Sequence, residues 1–204
     1  MKLIVGMLLS AGLTFSPFVF PGGVRQDQEN PSKSFQVKTG GNLVVDVQPG
    51  SVHIEPWSKD EVFIQAENID ERYPDRLQMT QSGNTVTLKY RDKRWNNNEI
   101  RFTISVPVEF NANIKTSGGG VEQQDVLKGN FEVDTRGGGV DIEEIDGRVD
   151  VQTGGGSIRA EKIDGDAKLK TGGGSVSAKL VTGEMEVESV VVVGGLGTLI
   201  CLNA

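Results

Sequence analysis

The chain has 204 residues, of which 36% are hydrophobic and 6% aromatic, and it carries a formal charge of −7 with one cysteine and one histidine. This composition excludes a disulfide framework and a metal site built from clustered cysteines and histidines, and it leaves only His53 for a histidine-dependent catalytic triad. The acidic charge argues against a nucleic-acid partner, because the backbones of DNA and RNA are anionic.

The first 23 residues have the order of charged and apolar residues that is typical of a secretory signal peptide. Met1 and Lys2 precede an apolar stretch from Leu3 to Phe20, so we predict a signal peptide over 1–23 and a polar linker over 24–34. An uncleaved membrane anchor is the alternative, because the stretch reaches the ~18 residues of a membrane-spanning helix. Both interpretations predict an exported protein, located in the periplasm, in the outer cell envelope or outside the cell.

Residues 35–110 contain several short segments in which apolar and polar side chains alternate, but these segments show no repeat. We predict an irregular β-rich region that caps the rest of the fold and holds both tryptophans, Trp57 and Trp95. The segment Gly50–Ile54 resembles residues 156–160, which lie in the repeats described next. An early copy of the repeat unit is therefore expected to begin at Gly50.

An 18-residue repeat organises the second half of the chain. Three copies follow one another at 130–147, 148–165 and 166–183, and a looser copy with one added residue precedes them at 111–129. Apolar and polar side chains alternate within each copy, which is typical of strands with one buried face. The predicted inward columns are Phe131, Val149, Ala167 and Met185; Val133, Val151, Leu169 and Val187; Val140, Ile158 and Val176; Ile142, Ala160 and Ala178; and Ile145, Ile163 and Val181.

Glycines separate the strands of each copy, as a triplet at 154–156 and as a single residue at Gly165. Glycine suits both places, because tight reversals need positive φ and close backbone approach. One copy cannot bury its own apolar side chains, so successive copies are expected to stack at the ~4.8 Å spacing of a β-sheet. The sequence predicts an all-β fold, a short right-handed or two-sheet β-solenoid over 111–189 that is capped by 35–110. A left-handed hexapeptide helix does not fit, because its apolar residues recur every six positions.

Three features together resemble a known bacterial family. They are the apolar leader, the strand Phe102–Val106 that leads into Pro107, and the Thr-Gly-Gly-Gly-Ser-Ile/Val segments at Thr153 and Thr171. This combination resembles the putative-adhesin family of β-strand-repeat proteins of unknown function, which is related to the head domains of autotransporter-like adhesins. The resemblance covers about 35–189 and implies a cell-envelope location and a solenoid-like fold. It supplies no catalytic residues.

The glycine triplets and the charged outward columns do not predict a nucleotide, calcium or catalytic site. Gly156 is followed by Ser157-Ile158 and not by the Lys-Ser/Thr of a P-loop. A calcium ladder is excluded, because Asp141 has Arg159 and Ser177 at the equivalent positions of the next two copies. Mixed charge columns are typical of a solvated sheet face, although polysaccharide lyases and hydrolases also carry such residues on β-helices. We predict no catalytic, cofactor-binding or metal-binding residue.

Other polar and aromatic residues favour structural roles. Thr135, Thr153 and Thr171 form a hydroxyl column that is expected to support the neighbouring turns. His53 lies between two apolar residues of a predicted strand, so its side chain is expected to point outward. Trp57 and Trp95 are expected to pack in the core or the cap, with stacking on a sugar as the alternative.

The last 15 residues, 190–204, depart from the repeat. Glycines are expected at 190–192, but the chain has Val190–Val193. One hypothesis is a shift of reading frame, since GGT glycine codons read one base later become GTG valine codons. The other is an apolar terminal strand or partner-binding tail. In both cases the end of the stack is an exposed edge that favours self-association.

The sequence therefore predicts an exported, non-catalytic adhesion or interaction scaffold of the cell envelope. Its partner would be an envelope protein or a polysaccharide. A carbohydrate-active β-helix enzyme and an accessory protein in envelope-stress signalling are the alternative functions.

Overall fold

The computed structural model describes residues 30–70, 74–92 and 100–189, together with the backbone of 191–192 and 200–202. The predicted signal peptide, Trp95 and the side chains of the C-terminal tail lie outside the described residues. Within the described part of the chain the fold is all-β, and its one helical segment is a single 3-10 turn at Pro74–Arg76. No helix in this part is long and apolar enough to cross a membrane.

The strands form two sheets of nine strands each. In chain order they are β1 (Ser32–Gln36), β2 (Gly41–Gln48), β3 (Ser51–Trp57), β4 (Glu61–Glu67), β5 (Leu77–Ser82), β6 (Thr85–Arg91), β7 (Arg101–Pro107), β8 (Phe110–Thr116), β9 (Val121–Lys128), β10 (Phe131–Thr135), β11 (Val140–Asp146), β12 (Val149–Thr153), β13 (Ile158–Asp164), β14 (Ala167–Thr171), β15 (Ser175–Val181), β16 (Met185–Glu188), β17 (Val191–Val192) and β18 (Ile200–Leu202). Sheet 1 has the spatial order β1-β4-β7-β3-β9-β11-β13-β15-β17, and sheet 2 has the order β18-β16-β14-β12-β10-β8-β2-β6-β5.

Each 18-residue copy gives one strand to sheet 2 and the next strand to sheet 1. Val151 pairs in parallel with Val133 on one side and with Leu169 on the other, so its partners lie one copy away in each direction. Ile158 of the other sheet pairs with Val140 and Val176 in the same way. In both sheets, paired residues of the repeats are therefore separated by one 18-residue period, as the prediction of two sheets requires.

The N-terminal strands belong to the same two sheets. β2 lies between β6 and β8, and β3 lies between β7 and β9, so the segment 41–57 is inserted between strands that come later in the chain. Val52 pairs in parallel with Val121, and the Thr116 hydroxyl donates a 2.8 Å hydrogen bond to the Gly50 carbonyl. The segment at Gly50 therefore belongs to an early copy, as predicted, but that copy begins before Gly50, with β2, which pairs in register with β8. The strands β1, β4 and β5 run antiparallel to their neighbours at the N-terminal edges, where edge strands are a liability for aggregation.

The inward side chains of both sheets form one hydrophobic core. Most of the predicted inward columns are buried, whereas Ala178, Val181 and Met185 near the end of the stack are half-buried. Large aromatic side chains concentrate toward the N-terminal strands, and the rings of Tyr90 and Phe102 contact each other with centroids 5.6 Å apart. Because the repeats supply only small and medium side chains, their two sheets enclose a narrow core with little space for a ligand.

Candidate interaction surface on sheet 1

The glycine turns and the hydroxyl column form one structural unit. The Thr153 hydroxyl donates to the Gly138 carbonyl of the preceding copy at 2.8 Å and accepts from the Gly156 amide of its own turn at 3.1 Å. Equivalent pairs of bonds are made by Thr116, Thr135 and Thr171. The prediction that these hydroxyls support the turns is confirmed. They are buried acceptors and donors with full hydrogen bonding, so this column offers nothing to a ligand.

Both glycine turns of a copy need glycine for close backbone approach. A Cβ on Gly138 or Gly156 in the triplets, or on the single glycines Gly147 and Gly165, would overlap the carbonyl oxygen of the equivalent glycine one copy earlier. Gly147 and Gly165 also have φ of 148° and 145°, which L side chains rarely adopt. Close backbone contacts between copies therefore explain the glycines of these loops, without a phosphate-binding role.

Charged side chains on the outer faces of the repeats pair along their columns. Lys162 lies 2.6 Å from Glu144, Lys168 lies 3.0 Å from Glu186, and Arg159 lies 3.3 Å from Asp141. The hydrogen bond that Lys162 donates to Glu144 raises the pKa of Lys162, and the bond that Lys168 donates to Glu186 raises the pKa of Lys168. These exposed pairs are worth little in stability. The mixed columns therefore make cross-strand pairs on a solvated face, in agreement with the solvated face that the sequence predicts.

The added residue of the 111–129 copy forms a β-bulge in β9. Between the pairs Gln123–Ile142 and Val126–Glu144, two residues of β9 stand opposite one residue of β11. Asp125 has a φ of 57°, and its amide donates to the Glu143 carboxylate at 2.8 Å. This bulge breaks the regular surface of sheet 1 at one place.

A buried glutamine holds the bulge in place. Gln123 is 1% exposed and occupies a position that is apolar in the other copies. Its Nε2 donates to the carbonyls of Gln124 and Asp125, both at 2.8 Å, and its Oε1 accepts from the Glu143 amide at 3.2 Å. The amide group therefore replaces the ladder bonds that the bulge interrupts.

We expect Gln123→Leu to destabilise the protein by about 2–3 kcal/mol, because it keeps the side-chain volume but leaves three backbone groups without their partner. The exposed neighbour Gln124 is the matched control, and Gln124→Leu should change stability by less than about 0.5 kcal/mol. Urea unfolding midpoints measure both. Equal midpoints for the two variants would contradict this role of Gln123.

A shallow groove of about 510 Å³ crosses the outer face of sheet 1 beside the bulge. It extends over β7, β3, β9 and β11, and its lining includes Ser51, His53, Arg101, Thr103, Glu122 and Asp141. A neighbouring hollow of about 210 Å³ shares Glu122 and Asp141 and continues past the bulge to β13. These two depressions make one trough, which we call the sheet 1 groove.

His53 occupies the centre of the groove. Its Nε2 lies 3.3 Å from Glu55 and its Nδ1 lies 3.2 Å from Glu122. The side chain points outward, as the sequence predicts, and one carboxylate lies beside each ring nitrogen. In the part of the chain that the structure describes, no group of three His, Cys, Asp or Glu side chains has the arrangement of a metal site.

Arg101 differs from the other charged residues of the groove. It is exposed, and among the described residues its guanidinium has no hydrogen-bond or ion-pair partner. Asp141, at the other end of the groove, is paired with Arg159. The groove thus presents a donor group at β7 and carboxylates at β9 and β11.

Comparison with solved structures identifies proteins of similar fold. A putative adhesin from Bacteroides fragilis aligns over 85% of this chain and 97% of its own, with a TM-score of 0.52 and 16% identity. The chain shares the fold of this adhesin. A putative cell adhesion protein from Clostridium sporogenes aligns over 78% of this chain and 97% of its own, with a TM-score of 0.46 and 9% identity. No family model and no curated protein matches the sequence. The resemblance to putative adhesins predicted from the sequence is confirmed at the level of fold.

The environment of Trp57 favours packing over sugar stacking. Its indole Nε1 donates to the Glu61 carbonyl at 2.7 Å, and the Lys59 ammonium lies 4.3 Å from the centre of its ring. One ring face is therefore occupied by a neighbouring side chain, in a cation–π contact. Trp57 is half-buried and lies outside the hydrophobic core, so the contacts that it makes are with Glu61 and Lys59 and not with the core.

Sequence reasoning missed the groove, although it named His53. Arg101 and Glu122 belong to no recognisable sequence motif. They reach the neighbourhood of His53 because β3 pairs with β7, about 50 residues later in the chain, and with β9, about 70 residues later. The one available signal was the added residue in 111–129, because bulges recur next to functional sites.

Proposed function

We propose that the protein is an exported β-solenoid of the cell envelope that acts as a non-catalytic adhesion or interaction scaffold. In this proposal residues 1–23 direct export, and the sheet 1 groove is the contact surface. The parallel register of one strand per sheet in every 18 residues supports the solenoid description. The fold shared with the Bacteroides fragilis putative adhesin supports the adhesion role.

One observation carries the proposal most strongly. The interior is filled with apolar side chains and the turns are closed by their own hydrogen bonds, so the outer faces and the sheet edges are left for binding. Both outer faces carry ion-paired columns, but on sheet 1 a groove interrupts the face and continues past the bulge in β9, where the repeat is broken. Functional sites often lie where a protein departs from its own regular pattern.

Binding of the full mature chain to intact cell envelopes tests the scaffold role. We expect saturable binding that Glu122→Lys abolishes or strongly weakens, because it reverses a charge in the groove. Asp150→Lys makes the same change on the outer face of sheet 2 and should bind like the wild type. Turnover of an envelope polysaccharide, or equal loss of binding in both variants, would overturn the proposal.

A further inference from the structure

The dimensions of the sheet 1 groove favour an elongated ligand that lies across the strands. Its lining comes from four neighbouring strands, β7, β3, β9 and β11. Three inter-strand spacings of ~4.8 Å correspond to about 14 Å, which is longer than one small metabolite but short for a protein interface. A short stretch of a linear polymer fits this length.

The sides of the groove differ in size. Ser51, Gly120 and Gly139 occupy equivalent positions on one side and leave the backbone open, with Arg101 at the β7 end of that row, whereas His53 and Glu122 stand on the other side. A ring of a polymer chain can therefore approach the sheet closely on the glycine side and be held by polar groups on the other. The polar side chains recur from strand to strand, so their separation along the groove is the ~4.8 Å spacing of the strands.

The chemistry of the lining does not suit polymers of a single charge sign. Arg101 offers hydrogen-bond donors at one end, Glu55 and Glu122 offer acceptors in the middle, and Asp141, which is paired with Arg159, lies at the other end. A polyanion meets the carboxylates, and a polycation meets Arg101 at one end and Arg159 at the other, so each is repelled along part of the groove. Hydroxyl groups donate and accept at the same atom, and they match both ends.

An extended peptide fits less well than a sugar chain. Peptides that bind sheets gain their affinity from main-chain hydrogen bonds to a free edge strand. The groove lies on the face of sheet 1, where β3, β7, β9 and β11 are paired on both sides. It offers side chains and no free ladder of backbone groups.

Given the proposed scaffold role, we infer that the sheet 1 groove binds an uncharged, hydroxyl-rich glycan chain that lies across strands β7, β3, β9 and β11. Among the described residues, no Trp, Tyr or Phe side chain lines the groove, and Lys59 covers one face of Trp57. Each site therefore binds weakly, because aromatic stacking contributes nothing. Many copies displayed on a surface compensate by multivalency.

The test is binding of the full mature chain, immobilised at high density, to an array of neutral glycans, with tetragalacturonate and tetralysine as charged probes. We expect a neutral glycan to bind with an affinity that is nearly unchanged between about 50 and about 500 mM salt, since screening acts on charged partners. Arg101→Gln and Asp141→Asn should each weaken this binding about tenfold, through loss of a hydrogen bond to a charged group. Asp150→Asn on sheet 2 is the control and should bind as the wild type does.

The outcomes separate this inference from the scaffold role. Envelope binding that depends on Glu122, with no neutral glycan bound, would overturn the glycan inference and retain the scaffold. Salt-sensitive binding of tetralysine or tetragalacturonate in the groove would also overturn it, in favour of a charged partner. Absence of envelope binding together with glycan binding that needs Arg101 would retain the site and remove the scaffold role.

Discussion

Replacing Gly138 by alanine is expected to destabilise the protein by at least about 3 kcal/mol. A Cβ at this position would overlap the Gly119 carbonyl and lie 2.7 Å from the Gly120 amide nitrogen, and both are backbone atoms held in the stack. Neither a rotamer change nor a side-chain shift can relieve this contact, so two copies must move apart. The unfolding midpoint in urea measures the loss.

Gly137 is the matched control within the same triplet. A Cβ at Gly137 meets no atom within 4 Å, and its φ lies outside the positive range that disfavours alanine. Gly137→Ala should therefore be neutral or slightly stabilising, by about 0.4–1 kcal/mol, because it restricts the unfolded chain. Similar midpoints for Gly137→Ala and Gly138→Ala would show that the triplet serves flexibility and not close approach.

The position of a glycine substitution should also decide which part of the molecule opens. In stacked repeats each copy contacts mainly its neighbours, so a damaged contact weakens the copies on one side of it more than the rest. For Gly156→Ala, whose Cβ would overlap the Gly138 carbonyl, we expect faster amide exchange in β14 and β15 than in β6 and β7. Uniform acceleration along the chain would instead indicate one cooperative unit.

The repeat region could be predicted in detail because its contacts are encoded at a fixed spacing. Val133, Val151 and Leu169 occupy equivalent positions of successive copies, and the same interval pairs them in the sheet. Once strands and turns are recognised within one copy, the parallel register of the next copies follows. The 18-residue period is therefore enough to predict the two sheets and most of the buried columns of the repeat region.

The N-terminal half could not be predicted in the same way, because its partners are not one repeat away. β2 pairs with β6 and β8, so Val45 lies opposite Leu88 and Ile114, which are 43 and 69 positions later in the chain. Alternation shows that Val45 faces inward but does not specify which strand lies beside it. The sheet 1 groove depends on such pairings, and for that reason it became visible only in the structure.

Replacing Thr153 by valine is expected to cost about 2–4 kcal/mol, although the two side chains have nearly the same shape. The threonine is 2% exposed, and its hydroxyl bonds the Gly138 carbonyl and the Gly156 amide. Valine leaves the buried Gly138 carbonyl and the half-buried Gly156 amide without this partner, and each loss costs about 1–2 kcal/mol. Thermal or urea unfolding of the purified variant measures the effect.

Thr153→Ser distinguishes the hydroxyl from the methyl group of this side chain. Serine keeps both hydrogen bonds and loses one buried methyl, so its cost should stay near about 1 kcal/mol. The fold already contains this replacement, because Ser189 donates to the Gly174 carbonyl at 3.2 Å in the equivalent place. If the serine variant were as unstable as the valine variant, packing of the methyl group would account for the stability of this column. We expect threonine to be the most stable, followed by serine and then valine. This order would show that the hydroxyl groups join each glycine turn to the turn before it.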